Sequence, residues 1–415
     1  MKKKSSQKKK IILLVIAVLL TFIIALAYNF ASKFIPRKMK IDVSENKSSD
    51  MTSEIFINNN TDGTDNGFEK LISIMSEKGL KFYSANNGDG IIAKNDVVIL
   101  KINSQWDQRG GTNVDLVRSV INEILNHPDG FTGEIVVADN GQDQFGTNNN
   151  GGSMDWEKPN SADQSTSILD LVNSYTNKNV KVSAYLWDSI TKNKVDEFEN
   201  GDMEPGFVLY NQTDDKTKIT VSYPKFITKF GTNVSFKMGI WNNEAQSYDT
   251  NKLKVINMPV LKTHMIYGIT GAVKGYMGVP SEKLTRNSHS TIGIGSMGTL
   301  MAETRMPVLN VMDAIYINAN TNRANRGPST DYKDATYVKT VLISTDPIAL
   351  DYYATGNILY PAIKSSGEQL ELKHQKDSNE PGSFGYWLNL SMWELQEAGY
   401  KSVMDESKIK VYTVE

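Results

Sequence analysis

The chain has 415 residues and no cysteine, which excludes disulfide bonds, cysteine-ligated zinc, iron–sulfur clusters and cysteine nucleophiles. An apolar fraction of 40% indicates a packed core rather than general disorder. The formal net charge of −2 is unevenly distributed along the chain. The first 40 residues hold ten of the 45 basic side chains and no acidic one, so the remaining residues carry a net charge of −12. A body this acidic argues against nucleic-acid binding, which depends on phosphate neutralisation by lysine and arginine.

The chain begins with a basic head, residues 1–10, followed by an uncharged apolar run, residues 11–28, in which only Thr21 is polar. At about 1.5 Å per residue such a run spans about 27 Å, close to the bilayer core of about 30 Å. Six lysines before the run place the head in the cytoplasm. We therefore predict a single transmembrane signal anchor over 11–30, in contact with membrane lipid, and an extracytoplasmic body. The alternative is a signal peptide cleaved after Ala27, which leads to secretion.

The body is predicted to begin after a polar stalk, residues 31–66, and to form an α/β domain over 67–415. Helical periodicity at 67–79, 113–126 and 165–176 alternates with short apolar runs at 97–102, 134–138 and 180–187. Strands that alternate with helices are typical of a parallel sheet with crossover connections. We expect a mixed, largely parallel sheet flanked by helices.

The middle of the chain lacks this alternation. Runs at 207–210, 218–223, 233–240 and 252–258 are typical of strands without intervening helices, and they predict an antiparallel or mixed patch. Strands are expected again at 308–312, 338–344 and 409–414, with helices at 347–359 and 388–398. The residues 147–163 and 318–334 are predicted to be long loops rich in asparagine and glycine.

Polar residues follow the first two predicted strands of the parallel sheet. Lys101 and Asn103 close the first of these strands, and Asp139 closes the second. Ligands of open parallel sheets bind beyond the carboxyl ends of the strands, so these residues are candidates for a binding site. The turn at 110–113 (GGTN) offers backbone amides to an anion at a helix N-terminus. Alternatively, Thr112 or Asn113 caps that helix and does nothing more.

The densest group of candidate residues is a basic cluster within 257–289. It comprises Lys262, His264, Thr270, Lys274, Arg286 and His289. Such a group suits a carboxylate or phosphate ligand, with His264 or His289 as a proton carrier near neutral pH. The alternative interpretation is a solvated loop that carries scattered basic residues. The following sequence 293–298 (GIGSMG) matches G-x-G-x-x-G, but its polar lead-in favours glycine-rich packing over a nucleotide site.

Three carboxylates near later strand ends complete the candidates. Asp313 closes a predicted strand, Asp346 precedes Pro347 as a complete helix N-cap, and Asp351 lies inside the helix and is expected to be exposed. Together with the two histidines, Asp139 and Asp313 are possible ligands of a divalent metal. The sequence shows no fixed spacing that favours a metal, so a metal site stays an alternative.

Several separated blocks resemble the domain of unknown function 362 (DUF362) family. These blocks are 98–103 (VILKIN), 136–139 (VVAD), 255–264 (VINMPVLKTH), 268–278 (GITGAVKGYMG), His289, 311–315 (VMDAI) and 344–351 (STDPIALD), and they extend over about 95–413. The resemblance marks Lys101, Asn103, Asp139, Lys262, His264, Lys274, His289, Asp313, Asp346 and Asp351 as shared positions. Many members of that family are linked to domains that hold iron–sulfur clusters. Because this chain has no cysteine, that feature does not carry over to it. The family's usual Lys-Asn pair is Lys274-Gly275 here.

Three functions are compatible with these patterns. The first is a membrane-anchored extracytoplasmic enzyme for a small anionic substrate, in which Lys262, Lys274 and Arg286 hold the anion and a histidine transfers protons with Asp139 or Asp313. It predicts that His264, Lys274, Asp139 and Asp313 line one cleft. The alternatives are a surface protein that binds a ligand or partner without turnover, and a divalent-metal-binding protein. The sequence identifies no protein partner.

Overall fold

A computed structural model describes residues 51–86, 88–141, 154, 159–176, 178–210, 212–320 and 330–414. The predicted head, anchor and most of the stalk lie outside these residues. Within them, no helix combines the length and the apolar composition that crossing a bilayer requires.

The described strands are β1 (Ser53–Asn58), β2 (Tyr83–Ser84), β3 (Ile92–Ala93), β4 (Val97–Lys101), β5 (Glu134–Asp139), β6 (Val182–Leu186), β7 (Lys194–Val195), β8 (Gly206–Leu209), β9 (Ser222–Ile227), β10 (Asn233–Ser235), β11 (Gly239–Asn242), β12 (Ser247–Asp249), β13 (Leu253–Asn257), β14 (Val260–His264), β15 (Gly268–Thr270), β16 (Leu309–Asn318), β17 (Thr336–Ser344) and β18 (Ile409–Thr413). The helices are α1 (Gly67–Glu77), α2 (Val114–Leu125), α3 (Ile168–Asn173), α4 (Ala272–Gly275), α5 (Glu282–Thr285), α6 (Ser296–Glu303), α7 (Pro347–Ala354), α8 (Tyr360–Ser365) and α9 (Phe384–Glu397). A π-helical turn, Thr355–Leu359, joins α7 to α8.

The main sheet has the strand order β18-β1-β17-β16-β13-β4-β5-β6, and β14 and β15 extend it from β16. The strands β16, β13, β4, β5 and β6 are mutually parallel, whereas β17 runs antiparallel to both β16 and β1. The prediction of a mixed α/β fold with parallel and antiparallel strands is therefore confirmed. From β4 the chain continues to β5 and β6 on one side of β4, whereas β13 lies on the other side of β4. The strand order therefore reverses between β4 and β13. Such a reversal opens a crevice at the carboxyl ends of the strands.

Each face of the main sheet covers its own hydrophobic core. Val98 and Leu100 of β4 point to a core that α1, α2 and α3 complete. Val97 and Ile99 point to the opposite core, which the second sheet and the helices α6, α7 and α9 complete. Side chains alternate between faces along a strand, so a strand covered on both sides needs a continuous apolar run. The run at 97–100 meets that need.

The second sheet, of strand order β12-β11-β10-β9-β8-β7, corresponds to the predicted patch in the middle of the chain. Its strands β8 to β12 are antiparallel, and β7 adds a parallel edge. The assignment of 252–258 to this patch is wrong. That run forms β13, which lies in the main sheet between β16 and β4 and parallel to both.

The predicted stalk extends too far into the domain. Its last part contains β1, which is parallel to β18 and antiparallel to β17. Ile55 and Phe56 of β1 are fully buried. The polar residues around this short apolar run concealed it in the sequence, and the folded domain therefore begins before residue 67.

Candidate functional site

A buried ion pair marks the carboxyl edge of the main sheet. Lys101 ends β4 and Asp139 ends the adjacent parallel strand β5, so their side chains meet, with 2.8 Å between Lys101 Nζ and Asp139 Oδ1. Lys101 Nζ also donates to the carbonyls of Ile102 at 2.8 Å and Gly275 at 2.7 Å. The ammonium therefore has two hydrogen-bonded carbonyl partners and one ion-pair partner, all within the protein. Lys101 is thus a structural cation rather than one that is free to bind a ligand.

The ion pair holds the segment 275–278 against the sheet edge. A Cβ atom at Gly278 would lie 2.0 Å from Asp139 Oδ1, so the backbone can approach the pair only because residue 278 is glycine. On the other side of the carboxylate, Ser104 donates to Asp139 Oδ2 from its amide at 2.7 Å and from its hydroxyl at 3.1 Å. The Lys101–Asp139 pair therefore fixes two loops at the crevice.

A second lysine reaches the crevice from β14. Lys262 is 1% exposed, and its Nζ donates to the carbonyl of Gly110 at 2.5 Å. Burial, and then the positive charge of Lys274, lower the pKa of Lys262 to about 7, against the opposing effect of Asp139 and Asp313. No described carboxylate forms an ion pair with Lys262, so its positive charge is only partly compensated.

A third lysine, Lys274, projects from the short helix α4. It is 6% exposed, and within the described residues no hydrogen bond or ion pair reaches its ammonium. The ammonium lies 5.4 Å from the centroid of the Tyr267 ring. Burial, and then the charge of Lys101, lower the pKa of Lys274 to about 7.

The carboxylate of Asp351 anchors α4. Its two oxygens accept from the amides of Ala272 at 2.5 Å and Val273 at 2.9 Å. The expectation that Asp351 is exposed is wrong, because the side chain is fully buried beneath α4. Burial raises its pKa to about 7. Asp351 positions the backbone that carries Lys274 and does not line the crevice.

These side chains surround a narrow pocket with a cavity volume of about 20 Å³. The predicted site residues that line it are Asn103, Asp139, Lys262, Thr270 and Lys274. The hydroxyl of Thr270 is buried and has no hydrogen-bond partner among the described residues. The other lining residues are Gln105, Trp106, Asn140, Gly275, Met277 and Gly278, of which sequence reasoning missed Gln105, Trp106 and Met277. A position just after β4 was the available signal for Gln105 and Trp106.

The turn at 110–113 is a structural clamp. The side chain of Asn113 caps α2 by accepting from the amides of Asp115 at 2.9 Å and Leu116 at 3.1 Å. The hydroxyl of Thr112 donates to the carbonyl of Met258 at 2.8 Å, which ties the turn to the end of β13. The capping alternative therefore describes this turn. Asn103 contributes to the same clamp, because its Oδ1 accepts from the amide of Val260 at 2.9 Å.

Asp313 lies behind the pocket rather than in its wall. Its Oδ2 accepts from the amide of Asn113 at 2.8 Å, and its Oδ1 accepts from the amide of Ile315 at 3.1 Å. Burial raises the pKa of Asp313 to about 6, although Arg109 and Lys262 oppose that rise. Asp313 interacts with Lys262 through its charge and is part of the electrostatic environment of the site.

The two histidines of the basic cluster bond within their own segments. His264 ends β14, and its Nδ1 accepts from the amides of Ile266 at 3.1 Å and Tyr267 at 3.2 Å, which places the ring proton on Nε2. Burial, and then the charge of Lys274, hold the pKa of His264 well below its usual range. His289 Nδ1 lies 2.9 Å from Glu282 Oε1. Neither imidazole lines the pocket, so only Lys274 and Asp139 of the four residues expected to line one cleft do so.

The remaining candidates lie outside the pocket. Arg286 is exposed and ends α5 in the left-handed region, with φ +55°. Asp346 caps α7 by accepting from the amides of Ile348 and Ala349, which agrees with the structural interpretation of this residue. Burial raises the pKa of Asp346 to about 6.

In the G-x-G-x-x-G match, a Cβ at Gly298 would lie 2.1 Å from the carbonyl oxygen of Ser391, so this glycine serves close packing against α9.

The donor set does not favour a metal centre. Within the described ranges, no group of three or more His, Asp or Glu side chains is arranged to hold a metal ion. Asp139, the carboxylate in the pocket wall, is already engaged by Lys101 and Ser104. The lysines in the same wall would repel a cation.

Residues 245–356 of the chain match the family described as Domain of unknown function (DUF362). The matched segment contains β14, α4, β16 and α7, and with them Lys262, Lys274 and Asp351. The other half of the pocket, at the ends of β4 and β5, lies outside the match. No curated protein matches the chain.

Proposed function

We propose that the protein binds a small anion, a carboxylate or a phosphate, in the pocket at the carboxyl edge of β4, β5 and β14. The observation that supports this proposal is the pair Lys262 and Lys274, which line the pocket, are buried and form no ion pair with a described carboxylate. Buried charges in folded proteins are normally paired, because desolvation of an unpaired charge is costly. A bound anion supplies the missing partner for both ammonium groups.

The polar groups around the lysines suit the same ligand. The unpartnered hydroxyl of Thr270 is a hydrogen-bond donor for an anionic oxygen. In the β14–β15 pairing, Thr270 lies directly opposite Lys262, so the hydroxyl and the ammonium belong to one small region. Asp139 does not oppose the anion, because Lys101 neutralises it.

We also propose that the protein acts on the bound anion. Two neighbouring lysines that both titrate near neutral pH hold one or two protons between them. One amine then serves as a base while the other keeps its charge and holds the ligand. In this proposal His264 stays neutral and takes no part in the proton transfer.

The second candidate function is ligand binding without turnover. It is favoured by the positions of His264 and His289, which bond to groups of their own segments and do not line the pocket. Under this alternative the lysines provide charge alone. An arginine at either position would then preserve function.

Anion binding is tested by the substitution Lys274→Met. In the absence of ligand we expect this variant to be more stable than the wild type by about 1 kcal/mol or more, because it removes an unpaired buried charge. We expect its affinity for phosphate, sulfate and pyruvate to fall at least about tenfold, which equals about 1.4 kcal/mol. Thermal unfolding with and without each anion measures both quantities, because a ligand stabilises the state that binds it.

The matched control is Lys181→Met, which removes a lysine that is exposed and lies outside the pocket. It is expected to leave both the unfolding temperature and the anion-induced shift unchanged. If no anion raises the unfolding temperature of the wild type, or if Lys274→Met retains the full shift, the proposed function is wrong.

We further propose that the domain is anchored to the outer face of a cell membrane through residues 11–30. The support is the sequence itself, with six lysines before an apolar run of membrane-spanning length. We expect the full-length protein to remain in the membrane fraction after alkaline extraction, and added protease to digest the domain in spheroplasts. Release of the whole protein by alkaline extraction, or resistance of the domain to protease until lysis, would contradict this location. A shortened, soluble protein that begins after Ala27 would instead indicate cleavage.

A further inference from the structure

We propose that the anion is a small 2-oxo acid and that Lys274 forms a Schiff base with its carbonyl carbon. This inference rests on the proposed function, and it adds the substrate class and the nucleophile.

The three lysines differ in how many of their protons are engaged. Lys101 donates to two carbonyls and forms an ion pair with Asp139, so its nitrogen is fixed. Lys262 donates to the carbonyl of Gly110, which holds its nitrogen in place but leaves two protons for a ligand. The nitrogen of Lys274 has no hydrogen bond among the described residues, although its side chain lines the pocket. Lys262 is therefore suited to hold a carboxylate, and Lys274 is suited to react.

The surroundings of Lys274 favour the neutral amine, which is the nucleophilic form. Its stem is buried, and the nearby cation Lys101 disfavours a further positive charge. With a pKa of about 7, roughly half of Lys274 is neutral at pH 7, a fraction roughly a thousandfold above that of an ordinary lysine. Desolvation beside another cation is an established way of activating a lysine for attack on a carbonyl.

A 2-oxo acid places a carboxylate and a carbonyl on adjacent carbons, which matches two lysines in one small pocket. The ammonium of Lys262 and the hydroxyl of Thr270 hold the carboxylate. The nitrogen of Lys274 attacks the carbonyl carbon to form a carbinolamine. The carbon–oxygen bond then breaks, and the oxygen leaves as water with both protons of the amine. The product is an imine between Lys274 and the acid, and the step needs no oxidant or cofactor.

The test is reductive trapping with full-length protein. Pyruvate or glyoxylate is added together with sodium cyanoborohydride, and the labelled lysine is located by peptide mass spectrometry. A trapped imine adds the mass of the acid less one oxygen atom. We expect Lys274 to be labelled at least about tenfold more than exposed lysines such as Lys181, because of its larger neutral fraction. Lactate is the matched ligand control, since it carries the carboxylate without the carbonyl.

The variant Lys274→Arg separates this inference from the proposed function. Arginine keeps a positive charge but cannot form an imine, so the variant should retain part of the shift in unfolding temperature with lactate and phosphate and lose the labelling at the pocket. If anions stabilise the wild type but neither oxo acid labels Lys274, or if Lys274 is labelled no more than the exposed lysines, the Schiff base is overturned while anion binding stands. If no anion stabilises the wild type and Lys274 is not labelled, both proposals fail.

Discussion

Replacing Asp139 by asparagine is expected to lower the free energy of unfolding by about 3–5 kcal/mol, because it leaves the charge of Lys101 buried without its partner. The two side chains are 1% and 2% exposed, so water cannot take over the role of the carboxylate. The segment 275–278 that the pair holds should loosen at the same time, and anion affinity should fall with it. Urea unfolding followed by tryptophan fluorescence measures the first effect.

Two controls make this result specific to the buried pair. The double variant Lys101→Met, Asp139→Leu removes both charges and is expected to be more stable than Asp139→Asn alone, since paired removal leaves no isolated charge. The variant Lys216→Met breaks the exposed pair with Glu397 and should cost at most about 1 kcal/mol. A single Asp139→Asn variant as stable as the wild type would show that the Lys101–Asp139 pair does not hold the crevice.

The affinity for anions is expected to fall about tenfold per pH unit above pH 7 for each proton that binding takes up. In the free protein Lys262 and Lys274 each have a pKa of about 7, so above that pH they lose the protons that the anion requires. A bound anion favours the charged amines and raises their pKa values. Titration calorimetry with phosphate or pyruvate from pH 6 to pH 9, in two buffers of different ionisation enthalpy, measures both the affinity and the proton uptake. An affinity that does not change with pH would contradict this linkage.

The free energy of unfolding of the ligand-free domain should rise with pH above pH 7, whereas the anion affinity falls. Between about pH 7 and pH 10 the folded state has lost protons from the two lysines that the unfolded chain still holds, so these groups raise the free energy of unfolding as the pH rises. Three buried carboxyl groups have raised pKa values of about 6 to 7, namely those of Asp313, Asp346 and Asp351. Between about pH 4 and pH 7 they lower the free energy of unfolding as the pH rises. The contribution of these five groups is therefore least favourable near pH 7. In Lys274→Met the increase above pH 7 should be smaller.

Local patterns predict the half of the pocket at the ends of β4 and β5. The apolar runs that end at Lys101 and Asp139 mark buried parallel strands, and the edge rule for parallel sheets then brings both residues together. The same rule indicates the turn that contains Gln105 and Trp106, although it does not name them. The basic composition of 257–289 singles out Lys262 and Lys274 because they lie in an otherwise acidic body.

Tertiary placement, by contrast, cannot be read from composition. Arg286 lies close to Lys274 in sequence, yet it ends α5 on the surface, whereas Lys101 comes from a distant segment and touches Gly275. The run that forms β13 is like its neighbours in composition, and only its pairing with β4 and β16 assigns it to the main sheet. Asp351 belongs to a helix whose pattern does not reveal that α4 covers it.

The position of β1 determines when one side of the main sheet can form during synthesis. This strand is synthesised before every other described strand, but its neighbours in the sheet are β17 and β18, the last two described strands. The hydroxyl of Tyr412 bonds to Glu54 across 358 positions of sequence. A ribosome that has made most of the domain has therefore not yet supplied either partner of β1, and closing so long a loop is intrinsically slow. The main sheet can acquire its β18-β1-β17 side only after β18 has been synthesised.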